Sequence, residues 1–547
     1  MANKLELTWV GKDKKEIIEP RILIEDKNKS YGDQTSKNML IHGDNLLALK
    51  AIETKYAGKV KCVYIDPPFN TGAAFEHYDD NLEHSIWLNL MYERLKILKE
   101  LLSDDGVILV HIDDNEEAYL KVIMDEIFGR NNFINSISVK SSTPSGLKTA
   151  HRDKTIIKTK DYILVYKKNN IKINPQYQEA DEWDTHFNYY FDKDNNKVIP
   201  LREVVYKQGL YPEGTSANKF SLSNKDFYDF VLENADRIFQ TGKSMPEDIR
   251  KQSLLEENKD KPIPYNEDKE NIQYAYNGRR MSFLSQSVHY IANKGKRGIA
   301  KLVCDFWDDI DFNNSQNEGG VSFPASKKPE ILLYRIINMF TNENDLILDS
   351  FLGSGTTATV AQKMHRRWIG IELGNHCYTH CIPRINSVID GKDMGGVTSL
   401  TKWQGGGGYH FYELAPTLIK KDNFGQPIIN KDYNAEMLTS SVALHEGFIY
   451  NPDPKIYWKQ AKGSDNSYLY VTTNYIDKEV LNNINSMMLP NEYLVIACTS
   501  FEENSDKDFK NIKIKKIPEM LLGKCKFDVD NYNLNIINPP EYEDEEE

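Results

Sequence analysis

The 547-residue chain is poor in the features that mark several protein classes. Its six cysteines, Cys62, Cys304, Cys377, Cys381, Cys498 and Cys525, are too few and too scattered for a disulfide framework. No apolar run approaches the roughly eighteen residues needed to cross a bilayer, so no membrane partner is expected. The N-terminal stretch MANKLELTWVGKDKKE has no apolar signal-peptide core, and the expected location is the cytoplasm. The phosphate-cradling loop G-x-x-x-x-G-K-[ST] is missing, and G-x-G-x-x-G is never completed. There are no internal repeats. Nor is there an excess of positive charge. Lys and Arg number 68 against 81 Asp and Glu, a net charge of −13, which argues against generic polyanion binding by the chain as a whole. Acids crowd the last residues (EYEDEEE, 541–547), a composition expected to be disordered.

What is present is a long chain with the composition of a globular protein, 40% hydrophobic and 27% charged, enough for several domains. Residues 1–37 read as a charged, irregular arm. From 38 to 136, strands and helices alternate. A strand-to-helix turn lies at Gly43-Asp44, an apolar strand at Val60–Ile65, a helix over His84–Leu102, a strand at Val107–Ile112 and a helix over Glu116–Phe128. Apolar strands between helices imply a parallel sheet covered on both faces. Residues 137–300 change in texture and read as an inserted domain, polar and aromatic in its middle and basic at both ends. The alternation returns over 301–404, with a helix at Pro329–Phe340 and strands at Leu346–Ser350 and Trp368–Glu372. A Gly-rich break at Gly405–Gly408 opens a last mixed α/β region, 405–547, with strands at Tyr468–Thr472 and Tyr493–Thr499.

Two stretches carry chemistry. In VKCVYIDPPFNTG (Val60–Gly72), a buried strand is stopped by Pro67 and Pro68, which leaves Asp66 at its carboxyl end and Phe69 just beyond. That edge of an α/β sheet is where ligands bind. A bare D-P-P also reads as an ordinary strand-ending turn. In LILDSFLGSGTT (Leu346–Thr357), Asp349 ends a strand, Gly353 and Gly355 leave room for close approach, and Thr356 or Thr357 opens a helix whose N–H groups favour an anion. The next strand ends at Glu372, where a Rossmann-like site holds ribose hydroxyls. A cofactor with a ribose, and with a carboxylate rather than a pyrophosphate, meets this description. S-adenosylmethionine is such a molecule. The other reading of this stretch, a turn with packing glycines, fits it equally well when it is taken alone.

Together the stretches are more specific. DPPF with FLGSGTT resembles the amino-group DNA methyltransferases, whose target-site motif reads [DNS]-P-P-[YFW] and whose cofactor loop reads F-x-G-x-G. The target motif comes first and the cofactor loop last, with an insert between, as in the circularly permuted beta class. LIHGDNLLALK, DGVILVHIDDNE, Lys328-Pro329-Glu330, RRWIGIELG and WQGGGG extend the likeness to the methylation subunit of type III restriction–modification systems.

The resemblance implies a Rossmann-like, permuted α/β fold with an inserted target-recognition domain. It implies methylation of adenine N6 on a base flipped out of double-stranded DNA, with cytosine N4 and a solitary enzyme as alternatives. The implied partners are a second copy of the chain and an ATP-dependent restriction subunit. It also assigns residues. Asp66, Pro67, Pro68 and Phe69 would form the catalytic motif, Asp66 orienting the amine and Phe69 stacking on the base. Asp44, Asp66, Lys328, Asp349, Phe351, Gly353, Ser354, Gly355, Thr356 and Glu372 would line the cofactor site. Phe69 departs from the commoner Tyr and lacks its hydroxyl.

Basic residues of the insert, Lys140, Lys148, Arg152, Lys154, Arg279 and Arg280, are candidates for phosphate contact. Asp113-Asp114 reads as a solvated loop, and Asp44 as a helix cap as readily as a cofactor contact. His376-Cys377-x-x-His380-Cys381 lacks the spacing of a zinc site and reads as core packing, so no metal is expected. A catalytically dead DNA-binding protein and a nicotinamide-dependent oxidoreductase are the readings from other classes. The intact Asp66, glycines and Glu372 disfavour the first, and the incomplete glycine fingerprint disfavours the second.

Overall fold

The computed structural model describes residues 6–12, 17–70, 84–144, 152–242, 245–266, 272–312, 315, 318–323 and 327–529, and the backbone of 74–75 and 78–79. Lys148 and the acidic tail lie outside the described residues. The chain forms two compact units, one of residues 1–173 with 305–547 and the other of residues 174–304.

The first unit is built on a sheet of eleven strands. Six run parallel through its middle, in the order Gly408–Leu414, Met39–His42, Arg367–Glu372, Leu346–Asp349, Val60–Ile65 and Leu102–Ile112. Their side chains explain the arrangement. All four residues of Leu346–Asp349 and five of the six of Val60–Ile65 are buried, as strands covered on both faces require. Helices Asn45–Tyr56, His84–Leu101, Glu330–Phe340 and Thr356–Lys363 accompany this sheet, and Trp87, Met91, Leu95 and Leu98 of the second sit in the core with the strand side chains. Glu117–Met124 is helical, and its last turn widens into a π-helix at Asp125–Gly129.

Three expected boundaries move. Residues 133–140 and 160–167 pair antiparallel with each other, and the latter with Leu102–Ile112, so they are sheet strands and the separate unit starts at 174 rather than 137. Gly408–Leu414 pairs parallel with Met39–His42, so the large sheet continues past residue 404. The N-terminal arm is not irregular throughout, since Leu23–Glu25 and Tyr31–Gly32 pair with Gly408–Leu414. Leu23–Glu25 lies at an edge of this sheet, where strands pair through backbone groups and need little apolar side-chain pattern, which hides it in the sequence.

The last region carries its own five-stranded sheet. Ser467–Thr472, Tyr493–Cys498 and Ile512–Lys516 run parallel there, in the places expected of the first two. The unit 174–304 holds a six-stranded antiparallel sheet and a three-stranded one around Trp183, Phe187, Phe220, Phe227 and Ile238. Among the described residues no helix is long and apolar enough to cross a membrane.

Candidate active site

Neighbouring central strands send their connections in opposite directions. Leu346–Asp349 leads through the helix Thr356–Lys363 to Arg367–Glu372 on one side, and Val60–Ile65 leads through His84–Leu101 to Leu102–Ile112 on the other. Divergent connections open a crevice at the carboxyl ends of the two strands. Asp66 and Asp349 stand on that edge.

Asp66 is half engaged. Its Oδ2 accepts a hydrogen bond from Lys328 Nζ at 2.6 Å, while its Oδ1 is buried with no hydrogen-bond partner among the described residues. The same ammonium lies 5.0 Å from the centroid of the Phe69 ring. The turn after Asp66 is pinned at successive residues. Trp87 Nε1, on a fully buried indole, donates to the Pro68 carbonyl at 2.7 Å. Phe69 faces the His111 ring at 5.9 Å, and His111 is set by Tyr64 Oη at 3.0 Å and Asp161 Oδ2 at 3.4 Å. Burial works to raise the Asp161 carboxyl, but the His111 hydrogen bond and the charges of His111 and Lys328 leave it below its usual value. Asn70, in the left-handed region at φ 56°, donates Nδ2 to Glu116 Oε1 at 2.8 Å, and His84 Nδ1 reaches the same oxygen at 2.9 Å.

Asp349 is fully engaged. Phe351 N donates to Oδ1 at 2.9 Å and Thr357 Oγ1 to Oδ2 at 2.5 Å. Burial pushes this carboxyl up to about 7. The two hydrogen bonds oppose that rise, and the charges of Asp66 and Glu372 add to it. Gly353 and Gly355 have φ of 57° and 84°, which a side chain would strain. Gly353 N donates to Glu372 Oε2 at 2.6 Å, and Leu373 N and Gly374 N donate to Glu372 Oε1 at 2.8 and 3.0 Å.

Beneath the glycine loop lies a buried charge network that the sequence did not announce. Arg384 Nη1 donates to Thr356 Oγ1 at 2.7 Å and to Ser354 Oγ at 3.1 Å, and Arg384 Nη2 donates to Glu330 Oε1 at 2.9 Å. Lys363 Nζ reaches Glu330 Oε2 and Asp393 Oδ2, each at 2.7 Å. Buried charges persist only when paired in this way. Nothing in their sequence neighbourhood separates them from solvated ones. Glu116 and His111, at the end of DGVILVHIDDNE, were within reach of the same motif reading that singled out their neighbours.

The remaining candidates fall out as follows. Asp44 caps the helix Asn45–Tyr56 through Leu46 N and Leu47 N at 2.9 and 3.1 Å and pairs with Arg94 at 3.1 Å. Its turn touches the glycine loop, since Asn45 Nδ2 donates to the Ser350 carbonyl at 2.7 Å. Asp113 is not solvated. It is fully buried and paired with Lys158 at 2.7 Å. Cys377 and Cys381 are buried, and Cys381 Sγ donates to the Gly353 carbonyl at 3.1 Å. Lys140, Arg152 and Lys154 belong to the first compact unit and Arg279 and Arg280 to the second; all but Arg280, which is half-buried, are exposed. The unpartnered Asp66 Oδ1 and a second buried, unpartnered atom, Ser350 Oγ, give the crevice polar groups for a ligand.

A family model described as DNA methylase matches residues 60–382, more than half of the chain. The "Probable type III restriction-modification enzyme HindVI Mod subunit" of Haemophilus influenzae is 38% identical over 418 residues, covering 71% of this chain and 55% of that protein. The EcoPI Mod subunit of Escherichia phage P1, also a type III restriction-modification enzyme, is 26% identical over 415 residues, covering 66% and 61%. The chain thus spans less than two thirds of the length of these relatives. Among solved structures, the cytosine-N4-specific PvuII DNA methyltransferase aligns at 14% identity and a TM-score of 0.33 over 67% of this chain and 93% of that one. The complex of M1.HpyAVI with SAM aligns at 14% and 0.30 over 64% and 99%.

Proposed function

The chain belongs to the DNA methylase family, and on that premise we propose that it methylates adenine N6 in double-stranded DNA at a specific sequence, as the modification and specificity subunit of a type III restriction–modification system. The observation that carries this is the pairing of a bare, buried carboxylate oxygen at Asp66 with a rigid glycine loop on the adjacent strand, at the point where the sheet's connections diverge.

The exocyclic amine of adenine is a poor nucleophile, because its lone pair is delocalised into the ring. Asp66 Oδ1 and the Pro67 carbonyl accept its two hydrogens, which localises the lone pair and aims it. The groups are held before the base arrives, so little reorganisation is needed during reaction. Asp66 orients the amine. The nitrogen would take the methyl as the sulfonium S–CH3 bond breaks, leaving the thioether S-adenosylhomocysteine, and its proton would pass to water with or after that transfer. Phe69 stacks on the base, which must leave the duplex to reach this edge.

S-adenosylmethionine, when bound, supplies an electrophilic sulfonium methyl. Its holders in this reading are Asp349, Phe351, Gly353, Ser354, Gly355 and Thr356 along the loop, Glu372 at the ribose and Asp44 near the base. The sheet order then corresponds to a circularly permuted methyltransferase core, with residues 174–304 as the inserted recognition domain. Lys140, Arg152, Lys154, Arg279 and Arg280 are the phosphate contacts of this reading. A second copy of the chain and an ATP-dependent restriction subunit are its partners, and the cytoplasm is its location.

Sequencing with modified-base detection, on unmethylated DNA incubated with the protein and S-adenosylmethionine, tests the reading. N6-methyladenine at one short sequence is expected. Absence of any modified base overturns it, and N4-methylcytosine overturns the choice of base.

A further inference from the structure

Lys328 sits on the cofactor side of the sequence resemblance, yet its ammonium is bonded to the target-site carboxylate, 2.6 Å from Asp66 Oδ2. Two further facts bear on what it does there. Its side chain is 12% exposed and that of Asp66 18%, so the pair is largely withdrawn from solvent. The two oxygens of Asp66 are also unequal, one taken by Lys328 and the other buried and unbonded.

From this geometry we infer that Lys328 is a positioning residue for methyl transfer. It holds Asp66 Oδ2 and fixes the rotamer of the carboxylate, so that Oδ1 alone is presented to the incoming amine. A carboxylate with both oxygens free can turn about its terminal torsion, a soft one, and offers the amine several geometries. One oxygen clamped by an ammonium leaves a single acceptor in a set direction. The ammonium lies near the Phe69 ring as well, so one lysine ties together the two side chains that would orient the base. Pro329 and the helix Glu330–Phe340 follow immediately, and Glu330 is locked into the Lys363 and Arg384 network, so the lysine projects from an anchored backbone.

This inference rests on the methyl-transfer reading and is separable from it. The experiment compares wild type, K328M and K328R. One assay is single-turnover transfer of tritiated methyl to unmethylated genomic DNA at saturating cofactor. The other is calorimetric binding of S-adenosylhomocysteine. A misaligned acceptor costs on the order of 10²-fold in rate. K328M is expected to lose about that much transfer with its S-adenosylhomocysteine affinity within about threefold of wild type. K328R, which keeps a donor, is expected to recover part of the rate. An affinity loss with transfer unchanged at saturation would make Lys328 a cofactor ligand and overturn the proposal. A rate equal to or above wild type would mean that the lysine is idle or is displaced by the base, and overturns it too. Failure of wild type itself to transfer methyl would sink the enzymatic reading instead.

Discussion

Asp66 and Asp349 end adjacent parallel strands of one sheet, and Leu348 of one strand is in register with Val63 of the other. The two acids nevertheless live in opposite conditions. Asp349 is 2% exposed, both its oxygens accept hydrogen bonds from its own loop, and burial raises it to about 7. Asp66 has one oxygen on a lysine and one with no partner. Position on the ligand edge therefore does not assign a role. An acid whose bonds are all made locally holds a loop in shape, whereas an acid with an unmet bond is built to meet something else.

Four experiments test this contrast. Asp66→Ala should have the largest effect, a loss of methyl transfer on the order of 10³-fold or more with cofactor binding retained, read by transfer kinetics and calorimetry. Near-wild-type transfer would remove Asp66 from the mechanism. Gly355→Asp acts on the other strand's loop. At φ 84° a side chain is strained, and a new acid meets a site meant for a carboxylate, so cofactor binding should be lost whether or not DNA is present. Phe69→Ala should cost about 1–3 kcal/mol, roughly 5- to 150-fold in transfer efficiency, by loss of stacking on the base. Cofactor affinity should stay as it was.

The fourth experiment concerns stability against pH rather than catalysis. The folded-state value of Asp349, about 7, lies above the ordinary 3.8. Its contribution therefore favours the folded chain fully below about pH 4 and is lost as pH rises through about 7, a difference on the order of 4 kcal/mol. Asp349→Asn should flatten the corresponding fall in stability between about pH 4 and 7, read from denaturation midpoints. Asp66→Asn removes one of the minor charges that add to the effect of burial, so it should shrink that fall only slightly.

The burial of strands Val60–Ile65 and Leu346–Asp349 was legible because strands covered on both faces must be apolar throughout, and the prolines and glycines that follow them have few other uses. Residues 133–140 and 160–167 were not recognised as parts of the same sheet, because their lysines read as a basic surface while their pairing is made by backbone. The same blindness hid the N-terminal strands and the strand Gly408–Leu414.

Residue order alone thus settled that the strands Val60–Ile65 and Leu346–Asp349 are buried and that an acid stands at the end of each. It could not say that segments nearly three hundred residues apart become neighbours with their acids on one edge. Nor could it say that Lys328 crosses to Asp66, that Glu330, Lys363, Arg384 and Asp393 neutralise one another under the glycine loop, or that Asp113 is buried against Lys158. Local pattern records the burial of one segment at a time. Charge pairing, desolvation and an unmet hydrogen bond are properties of groups brought together from distant parts of the chain, so they come into being only when the sheet assembles.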